Sequence, residues 1–369
     1  MKILFAGGGT AGHINPALAI ANYICKNNEN TEVLFVGTEE GLEKSLVPHG
    51  GYGLETIKIH GFERKISFET LKTAFEIPTA VLASKKIIKK FKPDVVVGTG
   101  GYVCGPVVYA AAKMGIPTFI HESNAFPGIT TKILSGVADV VAVGVEAAGK
   151  YLPKAKKLVL TGNPIRPSIM AVDDFAARRT LGLDSRPFIL FFGGSLGARD
   201  FNKVVTDWIS SVAEEGKYQI LMGTGKLNQM DAVKERFLAN GVNIEKYPHI
   251  TISEYIYDMD IAMNGADLVV SRAGASTLAE LTAIGKPSVL VPSPYVTDNH
   301  QYHNAKAVED GGGAKVITED EFTVEALDKA ITEIIETPGK LSEMKRGAAK
   351  MGVPDSLELI CREIKGLAG

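Results

Sequence analysis

Short apolar runs rich in β-branched residues recur along the chain, and longer segments with helical periodicity separate them. That alternation predicts βα units wound around parallel sheets. The first half places strands near Ile3, Val33, Val95, Thr118, Val140 and Val159. The second half repeats the scheme with FILFF (Phe188 to Phe192), YQILM (Tyr218 to Met222), DLVVS (Asp267 to Ser271) and SVLVP (Ser288 to Pro292). The expected architecture is α/β, with two doubly wound, Rossmann-like parallel sheets. The turn-rich segment GNPIRPS, Gly162 to Ser168, is the natural linker between them.

Length agrees with this division, because 369 residues exceed one ordinary domain. Composition is that of a soluble protein, 45% hydrophobic and 22% charged, and a net charge of -2 supplies no global attraction to nucleic acid or membrane. Any such attraction has to be local. Cys25, Cys104 and Cys361 are odd in number and widely spaced, which fits neither a disulfide framework nor a metal-ligand pattern and points to a reducing, cytosolic setting. The apolar run before the first glycines is too short for the core of a signal peptide, so export is not expected. Val95 to Ala112 carries no charge but contains Gly98, Gly100, Gly101, Gly105 and Pro106, so it reads as strand, loop and helix start rather than a membrane span.

Three glycine-rich segments follow predicted strands: GGGTAGH (Gly7 to His13), GTGGYVCG (Gly98 to Gly105) and GGSLGAR (Gly193 to Arg199). In open α/β sheets ligands bind beyond the carboxyl ends of the strands. Glycine lets backbone N–H groups approach a ligand closely, and a following helix start adds positive potential, so these loops suit phosphates. A single loop of this kind is equally well a tight turn; three of them, split between both halves, favour a shared phosphate-bearing ligand. Gly7 to Gly12 also matches G-x-G-x-x-G, with Glu39 just past the second strand, which keeps a nicotinamide or flavin oxidoreductase open. Asn15 and Pro16 suggest that the helix starts a few residues after Gly12. That would leave His13 in the loop at the crevice mouth, where a general base would stand.

The second half adds SRAGASTLAELTAIGKPSVLVP, Ser271 to Pro292, in which a helix begins near Ser276 and Glu280 sits one turn inside it. A carboxylate there can accept from a sugar or ribose diol while the helix start receives phosphate. Asp298, Asn299, His300, Gln301, His303 and Asn304 then offer the mixed donors and acceptors that a polyhydroxylated ligand requires. Asp258-Met-Asp260 has a spacing that elsewhere holds a divalent cation, but it falls at a predicted helix start, so no metal is expected.

Taken together, GGGTAGH, GTGGYV, HESNAFPG, GNPIR, GGSLGAR, SRAGASTLAE and NHQYHNA resemble, in order from residue 7 to about 305, the MurG family of peptidoglycan GlcNAc transferases. The resemblance implies a GT-B fold, with a first domain over 1–163 joined by the C-terminal helix 340–369 and a donor domain over 164–339. It implies GlcNAc transfer from UDP-GlcNAc to the C4 hydroxyl of MurNAc on undecaprenyl-pyrophosphoryl-MurNAc-pentapeptide, with no cofactor. A related UDP-sugar enzyme with another acceptor is the alternative. Carried onto this sequence, the donor contacts are Thr10, Ala11, Gly12, Asn124, Arg166, Ser195, Ile256, the run Ala275, Ser276, Thr277 to Glu280, and Gln301. Expected acceptor contacts are Gly9, Gly101 and Tyr102, the last being equally a packing residue or a wall of the acceptor site. Arg272 is either a phosphate clamp or a structural ion pair. His121 and Glu122 are either catalytic or a hydrogen-bonded support for the next loop. His300 departs from relatives that carry a second glutamine. The expected mechanism is one in-line displacement with inversion, His13 acting as base or only as a hydrogen-bond donor.

A lipid-linked acceptor also changes the reading of residues 64–92. Phe68, Leu71, Phe75 and Ile77 lie among Arg64, Lys65, Lys72, Lys85, Lys86, Lys89, Lys90 and Lys92. By itself this is an ordinary amphipathic helix. With a membrane-bound acceptor it is expected to be a peripheral contact with the anionic cytoplasmic face of a bacterial cell membrane.

Overall fold

A strand that is apolar on both faces needs helices on both sides, which is the situation of a parallel sheet. Ile3, Leu4, Phe5 and Ala6 are all fully buried in this way. The computed structural model describes residues 1–61, 68–227 and 229–369, with backbone alone for 68–75. It divides into two units, Met1–Ile165 with Asp355–Gly369, and Arg166–Pro354.

The first unit holds seven parallel strands, β1 (Lys2–Gly7), β2 (Glu32–Gly37), β3 (Gly53–Thr56), β4 (Val95–Gly100), β5 (Thr118–Glu122), β6 (Val140–Val143) and β7 (Leu158–Leu160). Their spatial order is β3-β2-β1-β4-β5-β6-β7. Ile3 and Phe5 point to one face with Phe35, Val95 and Val97. There they meet Ile14, Ala17, Ile20 and Ile24 of the helix Ala11–Asn27 and Leu357, Ile360 and Ile364 of the helix Ser356–Ala368. Leu4 and Ala6 point to the other face, under Val103, Val107 and Val108 at the helix Cys104–Lys113.

The second unit holds six parallel strands, β8 (Phe188–Phe192), β9 (Gln219–Gly223), β10 (Ile250–Ser253), β11 (Leu268–Ser271), β12 (Ser288–Leu290) and β13 (Ala314–Val316), in the order β10-β9-β8-β11-β12-β13. Ile189 and Phe191 pack on Phe201, Val205 and Trp208 of the helix Arg199–Val212. The buried Trp208 indole donates to Asp328 at 3.0 Å, so its polar edge is satisfied.

The helix Lys340–Met351 belongs to the second unit, and the return to the first begins at Asp355 rather than near residue 340. Gly347 explains why: it seats that helix directly on the Gly311–Gly312 backbone, where any side chain would collide. The strands β3, β10 and β13 have no counterpart in the apolar pattern, because they are short outer strands with few buried positions.

In both sheets the strand order reverses between neighbours, at β1/β4 and at β8/β11. Crossovers leave those two strands in opposite directions, which opens a crevice at their carboxyl ends. The architecture therefore points to residues 7–13 and 100–102 in one unit and to residues 193–199 and 272–277 in the other.

Ile360 is fully buried between β1, β4 and the first helix. Ile360→Ala is expected to destabilise the first unit by about 2–5 kcal/mol, read as an earlier unfolding transition in denaturant.

Candidate active site

In the first unit the chain leaves β1 through Gly8 and Gly9 and turns into the helix Ala11–Asn27, while β4 ends at Gly100-Gly101-Tyr102. Gly9, Gly100 and Gly101 have φ of +84°, +106° and +80°, which side-chain-bearing residues rarely adopt. The His13 imidazole lies along Gly100, where an added Cβ would stand 2.6 Å from Cδ2 and 3.0 Å from Nε2. Tyr102 covers Gly9 in the same manner, its Cε1 2.8 Å from the position a Cβ would take. Absent side chains thus make room for the two rings.

His13 stands in the first helical turn and not in the loop. The helix starts at Ala11, with the His13 and Ile14 N–H groups donating to the Thr10 carbonyl at 3.1 and 3.2 Å. Pro16 does not delay it. It is accommodated inside the helix, forgoing only the bond that its missing N–H would make. His13 Nδ1 is 3.2 Å from the Gly8 carbonyl oxygen and 3.1 Å from the Thr10 hydroxyl.

Glu122, at the end of β5, is buried, and both oxygens serve the loop that follows. Oε1 accepts from the Asn124 N–H (3.0 Å) and side-chain amide (3.2 Å), and Oε2 accepts from the Gly128 N–H (3.2 Å) and the Thr131 hydroxyl (2.6 Å). The carboxylate is a loop support that gives Asn124 its position, and its oxygens are committed to that task. His121 is equally buried, with Nε2 3.0 Å from the Gly162 carbonyl, and burial pulls its pKa below the ordinary histidine value.

In the second unit a cavity of about 580 Å³ opens at the β8/β11 switch point, lined by Gly193, Gly194, Arg272, Thr277, Tyr295 and Gln301 among others. The helices Arg199–Val212 and Ala275–Ala283 both begin at it, through Ala198, Arg199 and Gly274. Two helix N-termini, each the positive end of its dipole, therefore face one space, an arrangement suited to a polyanion. Gln301 is fixed by accepting the Ser293 N–H at 2.9 Å. His300, beside it, has Nδ1 2.7 Å from the Thr297 carbonyl, a turn contact at the start of its helix.

Arg272 is buried at the cavity wall, where it forms an ion pair with Glu319 and donates to the Val291 carbonyl at 3.1 Å. Arg166 and Glu280 form a bidentate pair, Nε to Oε1 at 2.6 Å and a terminal nitrogen to Oε2 at 2.9 Å. Ser195 is exposed in the loop after β8, its carbonyl accepting from the Lys226 N–H at 3.1 Å. The Ile256 side chain lies over Gly223 at the end of β9. Asp258 is the N-cap of the helix Met259–Gly265, with Asp260 in its first turn. Among the described residues no three His, Cys, Asp or Glu side chains gather as a metal site would require.

Two features escaped the sequence reading. Arg199, Asp200 and Tyr295 line the cavity, and for Arg199 the signal was present as the end of GGSLGAR. Glu43, fully buried beneath the first glycine loop, accepts the Gly9 N–H at 3.1 Å, and no motif marks it.

Residues 3–143 match the model of the Glycosyltransferase family 28 N-terminal domain, and residues 188–360 that of the Glycosyltransferase family 28 C-terminal domain. The chain is 46% identical over 368 residues to the UDP-N-acetylglucosamine--N-acetylmuramyl-(pentapeptide) pyrophosphoryl-undecaprenol N-acetylglucosamine transferase of Acetivibrio thermocellus, covering 100% of this chain and 98% of the relative. It is 47% identical over 360 residues to the Bacillus cereus transferase 1 of the same name, covering 96% of each. Among solved structures, Acinetobacter baumannii MurG superposes with a TM-score of 0.80 at 30% identity, covering 99% of both chains.

Gly100→Ala places a Cβ on a backbone with φ +106° and against the His13 ring. It is expected to cost roughly 1–3 kcal/mol of stability and to move the imidazole. Thermal unfolding and the NMR shifts of the His13 ring protons test both effects.

Proposed function

The chain belongs to the MurG family of UDP-GlcNAc-dependent glycosyltransferases, with the GT-B fold, and from that premise we propose that it builds the lipid-linked disaccharide of peptidoglycan. The reaction is transfer of GlcNAc from UDP-GlcNAc to MurNAc-pentapeptide carried on undecaprenyl pyrophosphate, at the MurNAc C4 hydroxyl and with inversion. A nicotinamide or flavin oxidoreductase is set aside by the family membership.

The observation that carries the reading of the donor site is the meeting of two helix N-termini at one glycine-lined cavity. The diphosphate of the donor is negatively charged, and its charge grows on the leaving oxygen as the sugar departs. Helix ends aimed at that position stabilise the transition state without a metal ion. Thr277 at the start of Ala275–Ala283 and Gln301 would contact phosphate and sugar. Glu280 would accept the ribose hydroxyls, which replace the two donors that Arg166 presents to it. Arg166 is then released to the uracil or the phosphates.

In the first unit the acceptor would lie along Gly9, Gly101 and Tyr102. His13 takes the C4 hydroxyl proton while the C4 oxygen attacks the anomeric carbon and the bond to UDP breaks. The contact with the Gly8 carbonyl supports this role: a carbonyl oxygen only accepts, so an Nδ1 proton donated to it, with the Thr10 hydroxyl accepting or turned away, would leave the lone pair on Nε2.

Peripheral binding to the anionic cytoplasmic face would use the helix Phe68–Phe91. Ile77 and Leu82 are exposed on it, with Lys85, Lys86, Lys89, Lys90 and Lys92 towards its end. Lys90 pairs with Glu55 at 2.9 Å. Arg64, Lys65 and the side chains of Phe68, Leu71, Lys72 and Phe75 lie outside the described residues. Among the described residues no helix is long and apolar enough to cross a membrane.

Labelled GlcNAc is expected to pass from UDP-GlcNAc to a short-chain MurNAc-pyrophosphoryl lipid in detergent with a metal chelator present; absence of product would overturn the proposal. In the same assay His13→Ala is expected to lose about 10²- to 10⁴-fold in kcat and to keep its affinity for UDP-GlcNAc. Near-normal turnover in the folded variant would remove His13 from the chemistry. Charge reversal at Lys85, Lys86, Lys89 and Lys90 is expected to weaken sedimentation with anionic vesicles, by about 1 kcal/mol per lysine at the surface, and unchanged binding would dismiss the patch.

A further inference from the structure

Glu43 is fully buried at the start of the helix Glu43–His49 and has no part in the chemistry so far described. Gly8, Gly37 and Gly41 enclose it, and at each of them an added Cβ would collide with its side chain. Inside this cage Oε1 accepts from the Thr38 N–H and the Thr38 hydroxyl, both at 2.8 Å, and Oε2 accepts from the Gly9 N–H at 3.1 Å. Three donors on one carboxylate account for a charge kept so far from water.

The Gly9 N–H and the Gly8 carbonyl are the two ends of a single planar peptide group. Its N–H faces Glu43 at 3.1 Å, and its oxygen faces His13 Nδ1 at 3.2 Å. Glycines on both sides let such a peptide flip at little steric cost, so hydrogen bonds decide its orientation. With the N–H turned to a carboxylate, the oxygen turns to the imidazole and demands a proton on Nδ1. The flipped peptide would turn its N–H towards Nδ1, move the imidazole proton to Nε2, and leave no lone pair there to act as a base. An acceptor on the N–H also polarises the amide and strengthens its oxygen as an acceptor.

We infer that Glu43 is a positioning residue, which acts through the Gly8–Gly9 peptide to hold His13 in the tautomer with its proton on Nδ1. The catalytic consequence rests on the reading of His13 as the base; the clamp itself does not. In Glu43→Gln an amide NH2 replaces one carboxylate oxygen, so it opposes a donor at either Gly9 or Thr38. The orientation of the peptide is then no longer dictated. In Glu43→Asp the charge stays but is drawn back from Gly9 by one methylene.

The tautomer is read directly from ring-nitrogen shifts in the full chain labelled with 15N-histidine, at a pH where His13 is neutral, with the signal assigned by its loss in His13→Gln. The wild-type chain is expected to show the proton on Nδ1. Both Glu43 variants are expected to show a mixed or reversed tautomer, with kcat down about tenfold or more and the KM for UDP-GlcNAc unchanged. An unchanged His13 signal in folded Glu43→Gln and Glu43→Asp would overturn the inference, whatever happens to kcat. A changed tautomer in these variants, together with full turnover by His13→Ala, would leave the clamp standing and dismiss His13 as the base.

Discussion

Parallel strands are joined by crossovers, and where neighbouring strands send their crossovers in opposite directions nothing covers their carboxyl ends. Both sheets contain one such place, beside the first strand of each unit. The candidate chemistry of the molecule is tied to this constraint. The glycines after β1 and β4 frame His13, and those after β8 and β11 frame a cavity at which two helices begin. The dipoles at those helix starts follow from the winding itself, so a site for a phosphate-bearing ligand comes with the topology.

Glycine loops can approach a ligand because they have no side chains, and for the same reason they cannot be held by packing. Carboxylates and an amide hold them here. Glu43 secures the loop after β1, Glu122 the loop after β5, and Gln301 the segment after β12. Glu319 holds Arg272 immediately after β11. Each is buried or partly shielded, where such a bond, charge-assisted for the three carboxylates, outweighs the entropy of ordering a flexible loop. Removing one would leave donors unsatisfied as well as a loop untethered.

The pairing of Arg166 with Glu280 has a different character. It is bidentate and sits at the start of the second unit, so Glu280 is already hydrogen-bonded before any ligand arrives. In the proposed donor complex ribose hydroxyls replace guanidinium donors, and one set of bonds is exchanged for another rather than formed on a bare carboxylate. Such an exchange favours selectivity, because a ligand without a correctly spaced diol would break the pair and offer nothing in return.

The strand runs, the glycine loops and the string of motifs that marks the family were all legible in the sequence, because apolar patterning and turn chemistry are properties of neighbouring residues. The outer strands β3, β10 and β13 were not, since a strand that buries little carries little pattern. Pro16 misled the placement of the helix start, because a helix tolerates one missing bond when its buried face holds it in place. Glu43 and Gly9 are 34 residues apart, and Arg166 and Glu280 are 114 apart. Nothing local announces such pairs. β1 and β2 have to lie side by side before Glu43 can reach the Gly8–Gly9 peptide, and only then do that peptide and the imidazole have a defined orientation. The chain alone determined which residues could bind and react; tertiary structure decided which of them are held still, because a carboxylate finds its donors only when the sheet has brought them within 3 Å or so.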